Sequence, residues 1–232
     1  MSEELLLLST NPDDTAGECE RDFRVIDKFG VCVVIDHLLN ETTLEKLTVE
    51  TICKNANISR ASFYRMFSDK YDALNWFMFR TLDLGNRLTG INYSWYGGNL
   101  TTISCGEKLV NLFRSPWQGH DYYGMRVQGI NYRYRDILKV LGIRNIEVTP
   151  ELEFQAHNYA YLESHMVRRW YNDDNRMPLK QLCEYMADCV PRQLFEALND
   201  PIDPKEPVEH TLSSMLAAFV QLPVEDAPPL PQ

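Results

Sequence analysis

Two helix starts lie close together in Leu47-Thr-Val-Glu-Thr-Ile-Cys-Lys-Asn-Ala-Asn-Ile-Ser-Arg-Ala-Ser-Phe-Tyr-Arg-Met-Phe-Ser-Asp-Lys-Tyr-Asp-Ala-Leu74. Thr48 and Ser59 are residue types that cap helix N-termini, because their hydroxyls accept hydrogen bonds from backbone amides of the first turn. An apolar residue precedes each cap and another follows it four positions later, which is the spacing of a hydrophobic staple. These signals predict one helix at about 48–56 and a second at about 59–67.

The second of these helices has two unlike faces. Phe63 and Phe67 are four residues apart, which places both on the side that faces the core. The other faces carry side chains that can meet DNA phosphates and base edges. These side chains are Arg60, Ser62, Tyr64 and Arg65. A solvated surface helix is the plainer interpretation, but two stapled helices joined at Asn57, which tolerates a left-handed backbone, favour a helix-turn-helix.

Helices are also predicted on both sides of this pair. Upstream, apolar residues repeat at helical spacing over about 22–40. Downstream, we expect Ser68 to cap a fourth helix that continues to about Leu84, with Asp69 in its first turn. That helix is apolar nearly all round, so it should lie between two layers and link the first three helices to the rest of the chain.

The same stretch resembles the DNA-binding signature of TetR-type transcriptional regulators, and the resemblance covers roughly residues 28–80. In that family an Ile-x-x-x-Ala-x-Ile-Ser run leads into Phe-Tyr-x-x-Phe-x-x-Lys. One departure is Asn57, at a turn position where the family more often has Gly. The matching positions here are Ile52, Ala56, Ile58, Ser59, Phe63, Tyr64, Phe67 and Lys70.

The resemblance implies a sequence-specific DNA-binding regulator, not an enzyme, that acts as a homodimer on a pseudo-palindromic operator of double-stranded DNA. By analogy, the protein is a repressor that an unknown small-molecule effector releases, and the fourth helix is the moving link. Arg60, Ser62 and Arg65 are the residues expected to contact base edges. The residues expected at the phosphates, where helix N-termini also favour an anion, are Thr48, Ser59, Tyr64 and Lys70.

The net charge of −10 is unusual for a DNA-binding chain, but the acidic residues are concentrated at its two ends. Residues 1–22 carry seven acidic side chains and one Arg, and residues 198–232 carry six and one Lys. Residues 54–70 carry four basic side chains against one acidic side chain. Phosphates respond to charge within about a Debye length, so the segment that would face DNA is locally basic.

The chain beyond Gly85 is rich in aromatic residues, and Gly90 with Gly97-Gly98 is predicted to mark a break in its structure. In the resembled family the last two long helices build the dimer interface. From Asp200 onward the Pro residues predict an extended tail, interrupted by a short helix at about 208–220. The other predicted helices span about 101–114, 119–140, 150–172 and 178–198.

These patterns predict an all-α fold, with a three-helix helix-turn-helix head joined by a linker helix to a helical effector-binding and dimerisation domain. No run reaches the roughly 18 apolar residues of a membrane helix, and Leu5–Leu8 is too short for a signal peptide, so we expect a soluble cytoplasmic protein. The predicted divisions are an acidic disordered tail at 1–21, the head at 22–67, the helical domain at 68–200 and a Pro-rich acidic tail with a short helix at 201–232.

An effector pocket is predicted from two sets of residues, the aromatic-rich stretch and one polar stripe on the helix at 150–172. Aromatic side chains with Arg residues close by can line a cavity for an aromatic or anionic effector, although plain core packing explains the same pattern equally well. The predicted lining residues are Trp117, Tyr123, Arg126, Tyr132, His157 and Tyr161.

No metal site, cofactor or catalytic motif is predicted. His157 and His165 are two helical turns apart, too far for both to bind one ion. The six cysteines are scattered without a C-x-x-C pair, which favours small buried hydrophobic residues in a reducing compartment. A redox sensor formed by Cys183 and Cys189 is disfavoured, because six residues of helix place them on different faces. The common enzyme signatures are absent from the sequence.

Two other functions stay open. The first is a TetR-like fold that acts through a protein partner, as a co-activator or adaptor without specific DNA binding, which the acidic ends would suit. The second is a ligand-binding or catalytic helical protein whose head is vestigial. Specific capture of DNA would exclude both, whereas ligand binding or turnover without DNA affinity would favour the second.

Overall fold

The computed structural model describes residues 12–114 and 122–222, with side chains from residues 24 and 127 onward, and these ranges fold into α-helices without a β-strand. The predicted all-α fold class is therefore confirmed. In chain order the helices are α1 Pro12–Leu38, α2 Val49–Ala56, α3 Arg60–Met66, α4 Lys70–Leu84, α5 Trp95–Gly106, α6 Val110–Arg114, α7 Tyr122–Ile143, α8 Pro150–Tyr171, α9 Leu179–Asp188, α10 Arg192–Leu198 and α11 Leu212–Gln221.

The helix pair α2–α3 forms as the sequence predicts. The Thr48 hydroxyl accepts a hydrogen bond from the Thr51 amide at 3.1 Å, and the Ser59 hydroxyl accepts one from the Ser62 amide at 3.0 Å. Asn57 occupies the left-handed region between them, with φ 54° and ψ 43°. Both predicted caps and the predicted turn residue are confirmed, because each depends on residues within three positions of it.

Two predictions for the flanking helices are wrong in detail. Helix α1 begins at Pro12, ten residues before the predicted start at 22, and this part of it lies within the predicted acidic tail. The cap of α4 is Asp69 and not Ser68, because the Asp69 carboxylate accepts from the amides of Tyr71 and Asp72 at 2.8 Å each. A carboxylate suits the positive end of the helix dipole better than a hydroxyl. The division of the chain into domains stays a prediction.

Helix α4 is buried along most of its length, as its apolar composition predicts. Its apolar residues Leu74 and Phe77 are fully buried, and they belong to one core that runs from the helix-turn-helix into the rest of the molecule. Four polar residues of the helix, Asn75, Arg80, Thr81 and Asp83, are buried as well. A helix surrounded on all sides in this way can transmit a displacement between the layers that it separates.

The predicted break at Gly97-Gly98 is wrong, since both glycines lie inside α5. They are needed there because other segments approach the helix closely. A methyl group on Gly98 would lie 2.4 Å from the Thr89 hydroxyl oxygen, and one on Gly97 would lie 3.1 Å from the Pro207 ring. Gly90, at φ +83°, does mark a turn before α5.

The second half of the chain departs from prediction mainly at Pro191. The helix predicted over 178–198 is two helices, α9 and α10, which residues 189–191 separate. Proline lacks a backbone N–H and disfavours helical conformation in the residue before it, so a continuous helix cannot form there. The helices predicted at 150–172 and 208–220 correspond closely to α8 and α11.

Candidate functional site

Helix α3 presents an apolar face to the core and a polar, basic face to solvent. Phe63 is fully buried and Phe67 is 2% exposed, whereas Tyr64 is 49% exposed. Arg60 and Arg65 are exposed on the same short helix. The helix therefore has the division of faces that insertion into a DNA groove requires.

Hydroxyl groups at the start of α3 form a small hydrogen-bonded ladder. The hydroxyl oxygens of Ser59 and Ser62 lie 2.9 Å apart, and the Arg65 guanidinium donates to the Ser62 hydroxyl at 3.1 Å. The ladder orients Arg65 along the helix while Arg60 extends from its first turn. These two hydrogen bonds leave the Ser62 hydroxyl, which has one donor and two acceptor sites, able to contact a base edge as well.

Lys70 is placed differently from the other predicted DNA contacts. Its ammonium donates hydrogen bonds to the carbonyl oxygens of Glu45 and Leu47, each at 2.8 Å. These carbonyls lie in the loop between α1 and α2, so Lys70 ties the first turn of α4 to the segment that leads into the Thr48 cap. A contact between the Lys70 ammonium and a DNA phosphate stays a prediction.

A cleft between α1 and the α2–α3 pair adds one residue to the basic surface. Arg24 of α1 lines this cleft together with Asn55, Ser62 and Arg65. The exposed Arg24 therefore lies on the same side of the molecule as the polar face of α3. The sequence pattern did not single out Arg24, because its position depends on how α1 crosses the other two helices.

A second candidate site is a cavity of about 90 Å³ among α4, α5, α7 and α8. Its walls are mainly apolar, with a buried ion pair and an amide at one side. Such a lining suits a small, largely apolar ligand. The lining residues are Met78, Leu82, Asn86, Thr102, Ile103, Phe113, Gly129, Ile130, Arg133, Ala160, Glu163, Ser164 and Val167.

The ion pair in the cavity wall joins α7 to α8. Arg133 Nε donates to Glu163 Oε2 at 2.7 Å, and both side chains are about 95% buried. Arg133 Nη1 also donates to the Asn86 carbonyl at 2.6 Å, and the guanidinium lies 5.2 Å from the Trp95 ring centre. Glu163 was missed in the sequence, although it interrupts the buried stripe of α8 that includes Ala156 and Ala160. A charge on an apolar stripe was the available signal.

The predicted effector-pocket residues whose side chains are described do not line this cavity. His157 and Tyr161 lie on the exposed face of α8, with their ring centres 5.1 Å apart. Tyr132 belongs to a separate polar cluster and does not line the cavity. Trp117 lies outside the described residues, and the side chains of Tyr123 and Arg126 are not described.

That polar cluster contains two carboxylates on one arginine. Arg87 contacts Asp83 at 2.8 Å and Asp136 at 3.4 Å, and the Tyr132 hydroxyl donates to Asp83 at 2.9 Å. Burial raises the pKa of Asp136 to about 6, with the nearby Asp83 charge adding to the rise and Arg87 opposing it. The same burial raises the pKa of Tyr132. The charges of Arg133 and Lys139 also lower the pKa of Asp136, but burial outweighs all three cations.

Replacing Asp136 by Asn should flatten the pH dependence of stability. Because the folded-state pKa of Asp136 is raised, its favourable contribution is complete below the unfolded value near 4 and is lost as pH rises through about 6. We expect the variant to gain stability over the wild type between pH 4 and 7, by at most about 3 kcal/mol. Urea denaturation at several pH values measures this difference, with the exposed Asp188→Asn as control. A stability difference between variant and wild type that does not change with pH over that range would contradict a raised pKa for Asp136.

Four of the five cysteines whose side chains are described behave as small buried residues. Cys32, Cys53, Cys105 and Cys183 are buried thiols, and Cys189 is exposed. Burial raises the pKa of Cys105 and Cys183 to about 12, which removes the reactive thiolate at neutral pH. In residues 24–114 and 127–222 no three His, Cys, Asp or Glu side chains converge as a metal site would need. Within the described chain, no helix combines the length and apolar character of a membrane span.

Comparison with known proteins gives a structural likeness but no sequence match. No family model and no curated protein matches the chain. Its fold is similar to the crystal structure of a TetR-family transcriptional regulator from Streptomyces coelicolor, at 17% sequence identity and a TM-score of 0.49, over 75% of this chain and 88% of that chain. At this TM-score, the assignment of the helix-turn-helix rests on the caps, turn and faces of α2 and α3 described above.

Proposed function

We propose that this protein is a sequence-specific DNA-binding transcriptional regulator. The observation that carries the proposal is the α2–α3 pair, in which capped helices and a left-handed turn at Asn57 direct Phe63 inward and Arg60, Tyr64 and Arg65 outward. Arginine side chains on a short, rigid helix can read guanine edges in the major groove while neighbouring groups contact phosphates. Thr48 and Ser59 stand at helix N-termini, where backbone amides favour an anion.

The outer face of α8 supports a homodimer. Three exposed apolar side chains lie on it: Phe154 at 69%, and Tyr161 at 38% and Leu162 at 39%, which follow Phe154 by seven and eight residues. This spacing places them on one face, and apolar patches of this kind mark interaction sites. A two-fold dimer through α8 would present two α3 helices to successive turns of the major groove and would recognise a pseudo-palindrome.

Replacing Phe154 by Glu should weaken that dimer without unfolding the chain. The side chain is the most exposed of the large apolar residues, so a charge there costs little in the monomer and much in an apolar interface. Sedimentation equilibrium is expected to show the monomer mass for the variant and the dimer mass for Phe154→Leu. Dimers of equal strength in both variants would remove this face of α8 from the interface.

An effector that occupies the cavity between α4 and α8 would complete the proposal. The cavity borders α4, which packs against both the helix-turn-helix and the rest of the molecule. Asn86 Oδ1 is a buried acceptor in the cavity wall that no donor in the described residues satisfies, so a ligand with a hydroxyl or amide N–H would find a partner. A ligand that favours one position of α4 would shift the spacing of the two heads and release the operator, which makes the protein a repressor.

Capture of sheared genomic DNA at two salt concentrations tests the DNA-binding function. Retention of one pseudo-palindromic sequence at the higher salt is expected, because base contacts persist when phosphate contacts weaken. Uniform retention that disappears with salt, or no retention, would contradict the proposal. That outcome would favour a protein partner on the exposed face of α8, the arrangement expected of a co-activator or adaptor.

Arg60→Ala should relax sequence preference more than it lowers general affinity. If Arg60 makes a bidentate base contact, its loss costs about 1–3 kcal/mol at one base position and less elsewhere. Binding to operators mutated one base at a time measures this effect, with exposed Lys139→Ala on α7 as the control of equal charge. Unchanged affinity and unchanged preference would show that α3 does not enter the groove.

A further inference from the structure

The last described helix, α11, packs into the junction between α1 and α4. Its residues Met215 and Phe219 are fully buried. The Phe219 ring meets the rings of Phe29 on α1 and Trp76 on α4 edge-on, each at 5.8 Å between centres. Edge-to-face pairs of this kind have a defined geometry, so Phe219 fixes how α4 crosses α1.

The same ring contacts continue to α3. Trp76 meets Phe67 at 6.2 Å between ring centres, and Phe67 meets Phe63 at 5.8 Å. Phe67 is the C-cap of α3, and Phe63 is the buried residue of that helix. Three aromatic contacts therefore connect Phe219 to the helix that carries Arg60.

The segment before α11, residues 200–211, is tied to the body of the molecule; we term it the strap. Its backbone amides at Asp203 and Lys205 donate to the carbonyls of Ile91 and Asn92 at 2.8 and 2.9 Å. The Asn92 side chain returns a hydrogen bond to the Asp203 carbonyl at 2.9 Å. Pro201, Pro204 and Pro207 within the strap restrict its backbone, and a proline-rich segment of this kind is a semi-rigid spacer.

A second set of contacts joins the strap to α5 and α9. The Val208 amide donates to the Thr101 hydroxyl at 3.1 Å, and the Ser104 hydroxyl donates to the Val208 carbonyl at 3.2 Å. Lys180 of α9 forms an ion pair with Glu209 at 3.0 Å. The strap is thus fixed to the body at both ends before α11 enters the junction near α3.

Resting on the proposed DNA-binding function, we propose that Phe219 is a positioning residue for operator recognition. The strap holds α11 to the body, and Phe219 sets the orientation of α4, Phe67 and α3 relative to that body. In a dimer this orientation determines the distance between the two α3 helices. A full operator requires that distance, whereas a single half-site does not.

Phe219→Ala and Phe219→Leu provide the direct test. Wild-type and variant proteins are titrated with the captured pseudo-palindrome and with a duplex that contains one half-site. We expect Phe219→Ala to lose about tenfold or more in affinity for the full site while half-site affinity is unchanged, which corresponds to about 1.4 kcal/mol of lost positioning. Phe219→Leu should recover most of the loss. A purely structural role would lower both affinities in proportion to the unfolded fraction, and that result would overturn the proposal.

Gly97→Ala tests the strap without altering the aromatic contacts. The added methyl group would lie 3.1 Å from the Pro207 ring and 3.3 Å from Tyr93 Cβ, so it displaces the strap from α5 at a distance from α3. We expect the same selective loss of full-site affinity, with a broader range of accepted half-site spacings. Unchanged spacing preference in Gly97→Ala would contradict a role for the strap.

Hydrogen exchange separates failure of this inference from failure of the proposed function. In Phe219→Ala the amides of α3 and of the first turn of α4 are expected to exchange faster, while those of α7 and α8 keep their wild-type rates. If the wild type captures no operator but this exchange pattern is found, the DNA-binding function fails and the positioning role stands. Equal exchange rates in α3 of both proteins would overturn the positioning role whatever the DNA result.

Discussion

Replacing Glu163 by Ala is expected to lower the free energy of unfolding by roughly 3–5 kcal/mol, the range for breaking a buried ion pair by removal of one partner. Arg133 would keep its positive charge, because a guanidinium does not lose its proton in proteins. It would then lie buried with the Asn86 carbonyl and the Trp95 ring as its remaining close contacts. The nearby Asp136 carboxylate attracts the guanidinium, but no hydrogen bond joins it to Arg133 as one joins Glu163, so much of the cost of burying the cation is left uncompensated.

Matched variants distinguish charge from packing at this pair. Glu163→Gln keeps the size of the side chain and one acceptor, so it should cost less than Glu163→Ala. The double variant Arg133→Met/Glu163→Leu removes both charges and should recover most of the stability, because apolar replacements of a buried pair are often neutral. Urea denaturation measures the free energies of unfolding, provided that their dependence on urea concentration has the same slope in all variants. A cost below about 1 kcal/mol for Glu163→Ala would mean that water reaches the pair.

The same replacement also addresses the proposed effector cavity. Arg133 and Glu163 lie in its wall and neutralise each other, so a neutral or largely apolar ligand is favoured over a charged one. The sequence prediction of an anionic or aromatic effector depended on the aromatic residues of 93–134 with Arg126, Arg133 and Arg135 close by. Pairing of Arg133 with a glutamate from the next helix could not be deduced, because nothing local in the chain specifies which residues face each other across α7 and α8.

Features that depend on neighbouring residues could be predicted from the sequence. The caps at Thr48 and Ser59 and the turn at Asn57 are determined within a few positions, and all three are found where expected. The boundary at Pro191 had an equally local signal, which the predicted helix over 178–198 did not take into account. A helix does not continue through this position, because proline has no backbone N–H to donate to the preceding turn.

Features that depend on distant parts of the chain could not be predicted. Gly97 and Gly98 predict a helix break, yet they lie inside α5, where the absence of a side chain lets Pro207 and Thr89 pack closely against the helix. The proline-rich end of the chain looks like an extended tail, yet Phe219 packs against Phe29 near the opposite end. In each case the sequence shows a residue type that permits close contact and does not show which segment makes it.

Lys70→Ala should both destabilise the fold and weaken DNA binding, and the two effects have separate causes. The ammonium donates to the carbonyls of Glu45 and Leu47, and a hydrogen bond to a charged group contributes about 1.5–3 kcal/mol. We expect a loss of unfolding free energy near the lower end of that range, because Glu45 is exposed and water can replace one of the bonds. The loop before α2 would lose its attachment to α4, so the Thr48 cap would be held less firmly.

The salt dependence of binding shows whether Lys70 also contacts a phosphate. If the Lys70 ammonium contacts a phosphate, Lys70→Ala lowers affinity for every sequence and reduces the slope of log affinity against log salt by about one. If the lysine only secures the loop, affinity falls while the slope is unchanged, since the number of released counterions is the same. Lys70→Arg is the informative control: its planar guanidinium keeps the charge but cannot reproduce the position of a compact ammonium between two carbonyls. We therefore expect Lys70→Arg to retain the salt slope and to lose stability. An Lys70→Ala variant as stable as the wild type would show that the observed hydrogen bonds do not hold the loop.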